Sequence, residues 1–197
     1  MNSADTPLPG AFLRGTRIHL RALRPEDADG DYPNWLNDAE ICSGNSHHVF
    51  PYSTAAALDY IEYARKARDC LILAIVDSAD QRHIGNIALQ NIHPLYRSAE
   101  LSILLGGASA RGQGIGLEAS LLLCRHGFDA LNLQRIACGT FADNRAMCSL
   151  ALKLGMAQEG VRRQAAFKHG SYLDVVEFGM LREEIGRASC RERVCAQ

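Results

Sequence analysis

The chain has no apolar run near the ~20 residues that cross a bilayer, no C-x-x-C pair, no excess of either charge and few aromatics, 7% of 197 residues with one tryptophan. Each shortage removes a class. Without a long apolar run no membrane-spanning helix or membrane partner is expected. Without a basic stretch leading into an apolar one at the N-terminus, no secretion signal is expected either, and the expected location is cytoplasmic. A net charge of −1 gives no general attraction to nucleic acid. Seven cysteines make an odd count, and Cys42, Cys70, Cys124, Cys138 and Cys148 sit mostly among apolar neighbours. They read as reduced, buried hydrophobes rather than a disulfide framework. His47 and His48 have no second Cys or His at ligand spacing, so no metal is expected.

What is present fits one domain. With 47% hydrophobic residues the chain can fill one substantial core. The expected division is an N-terminal extension over 1–13, a single domain over 14–184 and a disordered or expression-derived tail over 185–197, where periodicity is lost. Residues 16–23 alternate apolar and polar as a strand does. Pro25 with Glu26 and Asp27 opens a helix that Gly30 and Pro33 are expected to break. Ser53 or Thr54 can cap a longer helix over about 55–68. Strands are expected at 71–76, 84–92 and 100–105. Helices over about 114–130 and 144–154 then flank a strand at 135–140, and a hairpin over 159–181 closes the sheet. The pattern describes a mixed α/β or α+β sandwich.

The most informative segment is Ala110-Arg111-Gly112-Gln113-Gly114-Ile115-Gly116, between an apolar strand and an apolar helix. Its glycines permit a sharp turn with free N–H groups, and the helix that follows adds the positive end of its dipole, which together suit a pyrophosphate. The spacing excludes two commoner phosphate loops. Gly116 is followed by Leu117 and Glu118, so the Gly-Lys-Ser/Thr ending of a nucleotide-kinase loop is missing. The G-x-G-x-x-G of a dinucleotide fold is also absent, and the loop lies past the midpoint of the chain.

Arg111-Gly112-Gln113-Gly114-Ile115-Gly116 resembles the Gln/Arg-x-x-Gly-x-Gly/Ala signature of the GNAT N-acetyltransferase superfamily. The resemblance continues through 135–140, Asp143-Asn144, Lys153-Leu154-Gly155-Met156 and Glu159-Gly160 to Gly170-Ser171-Tyr172-Leu173-Asp174-Val175-Val176. That order is similar to the branch of ribosomal-protein N-terminal (alanine/serine) acetyltransferases. The resemblance implies a three-layer αβα sandwich around a mostly antiparallel twisted sheet, with acetyl-CoA as co-substrate. It also implies that Arg111, Gly112, Gln113, Gly114, Ile115 and Gly116 hold the cofactor, that Ile103, Leu104 and Leu105 offer backbone to its pantetheine arm, and that the amide of Asn144 bonds that arm.

Forming an amide from a thioester needs a neutral amine, a polarised carbonyl and an exit for the thiolate. Lysine-like amines with a pKa near ~10 are mostly protonated at neutral pH, so a base helps. By resemblance the strand before the loop carries that carboxylate in many members, and Glu100 is the one available; Asp174 in the hairpin is a second candidate. Many members place a tyrosine seven residues after the asparagine to protonate the thiolate. Here that position is Ala151, and Tyr172 is the nearest alternative by resemblance. The acceptor is hinted at by Glu26, Asp27, Asp29, Asp31, Asp38, Glu40, Asp59 and Glu62, since 25–64 contains no Lys or Arg. An acidic rim there would attract a cationic amine: a protein N-terminus, a polyamine or an amino sugar. The alternative is a non-catalytic acyl-CoA sensor of the same fold, which the loss of the tyrosine keeps open. Exposed edge strands are compatible with a homodimer.

Overall fold

The computed structural model describes residues 10–107 and 110–185; of the segments expected to form the N-terminal extension and the tail, residues 1–9 and 186–197 lie outside the described residues, while Leu13 already belongs to the first strand. Strands β1 (Leu13–Arg14), β2 (Ile18–Ala22), β3 (Leu71–Asp77), β4 (His83–His93), β5 (Ser98–Leu105), β6 (Arg135–Phe141), β7 (Ala157–Lys168) and β8 (Ser171–Leu181) form one sheet in the order β1-β2-β3-β4-β5-β6-β8-β7. Every neighbouring pair is antiparallel except β5 and β6. A parallel pair needs a crossover, and helix α3 (Ile115–Asp129) supplies it. The mixed α+β architecture expected from the sequence is the one observed.

The helices start where the chain offers caps. Ser53, not Thr54, caps α2 (Thr54–Lys66), its Oγ accepting from the Ala56 N–H at 3.2 Å. Asn144 caps α4 (Arg145–Leu154) by accepting from the Met147 N–H at 3.1 Å, and Gly155 ends it at φ 93°. Pro33 does not break a helix. Pro25–Asp29 forms a short 3₁₀ turn and the chain restarts as α1 (Tyr32–Leu36), with Pro33 in its first turn, where no backbone donor is wanted.

Two apolar clusters sit on opposite faces of the sheet. On one face α3 and α4 bury Leu123, Phe128 and Leu154 against Ile75, Leu89, Ile136 and Phe178. On the other, α1 and α2 bury Trp35 and Ile61 against Ile72, Ala74 and Ala88. Full burial of each large side chain stabilises by about 1.5–3 kcal/mol, so each helix layer is held by several such groups. The second layer covers β3 and β4 but leaves the same face of β5, β6 and β8 largely open, and that uncovered half becomes the site.

Candidate active site

Strands β5 and β6 pair over only three positions, Ser98 with Arg135, Ala99 with Ile136 and Glu100 with Ala137. Beyond Glu100 they part. Residues 101–105 keep β4 on one side, and their other edge opens into a cleft of about 1620 Å³. At the far end of this slot Gly106 lies against the Trp35 ring; a Cβ there would sit 2.0 Å from the indole, so only glycine admits the contact. The chain then enters the glycine loop. Gly112 and Gly114 take φ 74° and 76°, and Gly114 forms the cap of α3. The loop is braced from the turn before β2: Arg17 donates to the Gln113 carbonyl, and Glu118 in the first turn of α3 accepts from the Thr16 and Arg17 N–H groups and from Arg17 Nε. Burial alone would raise the Glu118 carboxyl, but these donors outweigh it and hold it below its usual value.

Side chains of directly paired residues share a face, as do residues two apart on a strand. Glu100 opposes Ala137, Gly139 follows two residues on, and Gly139 opposes Glu177. Both glutamates therefore stand on the open face with Ala137 and Gly139 as a low floor between them, on the order of 12 Å apart by strand spacing. Glu100 is exposed and lines the cleft. Glu177 lines it too and accepts from Arg162 Nε at 2.6 Å. The wall toward α1 and α2 is aromatic, with Tyr32, Tyr52 and Tyr60; the Tyr32 and Tyr52 hydroxyls meet at 3.2 Å, and burial pushes the Tyr60 phenol up to about 12. Cys138 also lines the cleft, but burial, reinforced by the charge of Glu177, pushes its thiol up to about 12, which leaves it a poor nucleophile.

Of the residues singled out in the sequence, Ile103, Leu104, Leu105, Arg111, Gly112, Gly114, Ile115, Gly116, Asn144 and Glu100 line one continuous cleft. Gln113 sits in the same loop with its carbonyl held by Arg17. Asn144 uses both ends of its amide, capping α4 and donating to the Gly44 carbonyl at 2.9 Å. Asp174 and Tyr172 do not join this group. The Asp174 carboxylate accepts the Gln164 N–H at 2.8 Å across an irregularity between β7 and β8, and Tyr172 packs edge-to-face on Phe167 at the exposed hairpin tip. Ala151 is fully buried beneath α4, so that position offers nothing to the slot.

Three residues of the acidic stretch are engaged elsewhere. Asp27 is buried in a bidentate pair with Arg21 at 2.7 and 2.8 Å, Asp38 caps the Glu40 and Ile41 N–H groups, and Glu62 pairs with Arg65 and Lys66 along α2. Of the eight acids only Glu40 lines the cleft. Glu177 supplies negative charge that the sequence reading missed; the alternation Val175, Glu177, Gly179 in a strand was the available signal. Among the described residues no group of three or more His, Cys, Asp or Glu is placed to hold a metal ion, and no helix is long and apolar enough to cross a membrane.

The chain is similar to known proteins along most of its length. The acetyltransferase (GNAT) domain profile matches residues 17–157. An uncharacterized N-acetyltransferase of Bacillus subtilis (strain 168), YoaA, is 31% identical over 182 residues, 87% of this chain and 97% of the relative. The ribosomal-protein-serine acetyltransferase of Escherichia coli (strain K12) is 35% identical over 92 residues, 47% of this chain and 51% of that protein. Among solved structures, spermidine N-acetyltransferase from Vibrio cholerae in complex with CoA and spermine superposes with a TM-score of 0.77 at 23% identity, covering 85% of this chain and 97% of that one.

Proposed function

The chain belongs to the GNAT acetyltransferase family and is an enzyme of the N-acetyltransferase class, and on that premise we propose that it moves the acetyl group of acetyl-CoA directly to a primary amine presented on the open face beside Glu100. One observation carries the proposal: the gap between β5 and β6 runs from the glycine loop at one end to an exposed carboxylate at the other. In this reading the N–H groups around Gly112 and Gly114, with the start of α3, take the pyrophosphate, and Arg111 adds charge. The free edge of Ile103, Leu104 and Leu105 takes the pantetheine arm, and Asn144 bonds it from α4. The solved relative that carries CoA supports this assignment.

The thioester carbon then lies near the point where the strands separate. Glu100 removes a proton from the arriving ammonium, directly or through water, and the freed lone pair attacks the carbonyl. The C–S bond breaks as the C–N bond forms, and the acylated nitrogen gives up its second proton, through solvent, to the departing thiolate, so that the products are the amide and the CoA thiol. A thiol pKa near ~8.5 makes the thiolate a fair leaving group without a dedicated acid, which answers the loss of a tyrosine at Ala151. Acceptance of a cation is supported by Glu40, Glu100 and Glu177 around the open face and by the tyrosine wall. Candidate acceptors are a protein N-terminal amine, a polyamine or an amino sugar; the ribosomal-protein and spermidine relatives support the first two.

The test is release of CoA thiol over a panel of such amines. Amine-dependent release is expected from the unmodified chain, and Glu100→Gln is expected to lower kcat by about 10²-fold or more with little change in acetyl-CoA affinity. Loss of affinity without loss of kcat would remove Glu100 from the role of base.

A further inference from the structure

Residues 37–52 cross between α1 and α2 with neither helix nor strand. They form a loop closed at its base, because the Asn37 amide donates to the Tyr52 carbonyl at 2.7 Å and accepts from the Tyr52 N–H at 2.8 Å. The buried Cys42 thiol, donating to the Trp35 carbonyl at 3.2 Å, fixes the start of the crossing segment. From there five consecutive residues, Ser43 to His47, line the cleft. Two side chains from distant elements clasp this strap. Asn144 at the head of α4 donates to the Gly44 carbonyl, so closely that a Cβ on Gly44 would lie 2.5 Å from Nδ2. Lys168, at the end of β7, donates to the His47 carbonyl.

The second clasp is chemically unusual. Lys168 is 7% exposed, and among the described residues its ammonium meets a backbone carbonyl and no carboxylate. Burying an ammonium without a counter-charge is unfavourable, and a neutral side chain of similar length would fill the same space without that cost. What lysine adds is a donor long enough to reach the strap.

We propose that Lys168 is a positioning residue for the amine acceptor: by holding the His47 carbonyl it seats the strap across the cleft, with the Asn144–Gly44 contact as the second clasp. This rests on the amine-transfer reading above. The strap forms a wall of the cleft between the slot and the tyrosine wall, so its seating sets where the amine stops relative to Glu100, while the glycine loop is braced independently by Arg17 and Glu118.

The experiment compares the unmodified chain with Lys168→Met, Lys168→Arg and Gly44→Ala, each checked for an intact thermal transition. Amide hydrogen exchange in 43–50 and steady-state kinetics are then measured with the best amine of the panel. Lys168→Met is expected to speed exchange in 43–50 by about tenfold and to raise the acceptor KM by about tenfold, with kcat and acetyl-CoA affinity within about twofold. Lys168→Arg, which keeps a donor, restores most of both. Gly44→Ala opens the other clasp and supplies the exchange and acceptor-KM readouts if Lys168→Met does not fold; its acetyl-CoA affinity is expected to fall as well, because the added Cβ displaces Asn144. Unchanged exchange in the folded variants overturns the proposal, and so does faster exchange with an unchanged acceptor KM. If the unmodified chain releases no thiol with any amine, the transfer reading fails and this inference with it, an outcome visible before any substitution is made.

Discussion

The two ends of the cleft are built in different ways. The end proposed to hold the cofactor comes mostly from one stretch, the edge of β5, the glycine loop and the first turn of α3, joined by Asn144 at the head of α4, and what it offers is mainly backbone. The end proposed to take the acceptor is assembled from α1, the loop 37–52, α2, β5 and the β7–β8 hairpin, and what it offers is side chains: Tyr32, Tyr60, Glu40, Glu100 and Glu177. A backbone cradle depends on a few dihedral angles and tolerates most side-chain changes nearby. An acceptor wall made of side chains can change its specificity by substitution without disturbing the cradle.

The largest effect expected strikes the frame beneath the acceptor end. Asp27 joins Arg21 on β2 to the Arg24 N–H at 2.8 Å, and His83 at the start of β4 approaches it at 3.4 Å. Burial by itself would raise its carboxyl, but Arg21, His83 and the Arg24 N–H outweigh that and hold it well below the usual carboxylate range. Because the folded value is depressed, its stabilisation is complete above the ordinary carboxyl pKa of about 4 and drains away as pH falls below it. Asp27→Asn leaves Arg21 buried without its partner and is expected to cost about 3–5 kcal/mol, read by denaturant titration at pH 7. The gap between variant and unmodified chain should narrow at acid pH; a gap independent of pH would detach the effect from this carboxylate.

Next in size is Gly114→Val, which forces a β-branched residue to φ 76° at the head of α3. It is expected to weaken acetyl-CoA by about 2–3 kcal/mol, roughly 30- to 150-fold in Kd, with the acceptor KM little altered at saturating cofactor. Glu177→Gln should do the reverse, raising the KM for a cationic amine by about tenfold, near 1.4 kcal/mol, with acetyl-CoA affinity unchanged. If both variants shifted both constants equally, the cleft would not divide into two ends at all. The smallest effect belongs to Ser53→Ala, which removes the α2 cap and should cost about 1 kcal/mol of stability while leaving both constants in place.

How much of this was legible beforehand follows the same division. The proposed cofactor end is mostly local in sequence, so a glycine loop between a strand and a helix is legible in a short window, as are the alternating elements that form the sheet. The acceptor end is not local. Glu177 shares the open face with Glu100 only because β8 pairs with β6 and β6 with β5, a register that no short window contains. Lys168 finds residue 47 across 121 positions of chain. The acidic stretch misled because composition counts charges and not their partners: Asp27 is held by Arg21, Asp38 by the N–H groups of Glu40 and Ile41, and Glu62 by Arg65 and Lys66 on the next turn of its own helix. Pro33 misled locally, since proline halts a helix from its middle and starts one from its first turn.

The proposed transfer depends on the backbone around Gly114 gripping the diphosphate of an acetyl-carrying thioester. Isothermal titration of acetyl-CoA into the folded chain tests it most directly, with Gly114→Val as the comparison. Saturable heat from one site per chain, weakened by that substitution, is the expected result; no heat from a chain whose thermal transition shows it folded would contradict it.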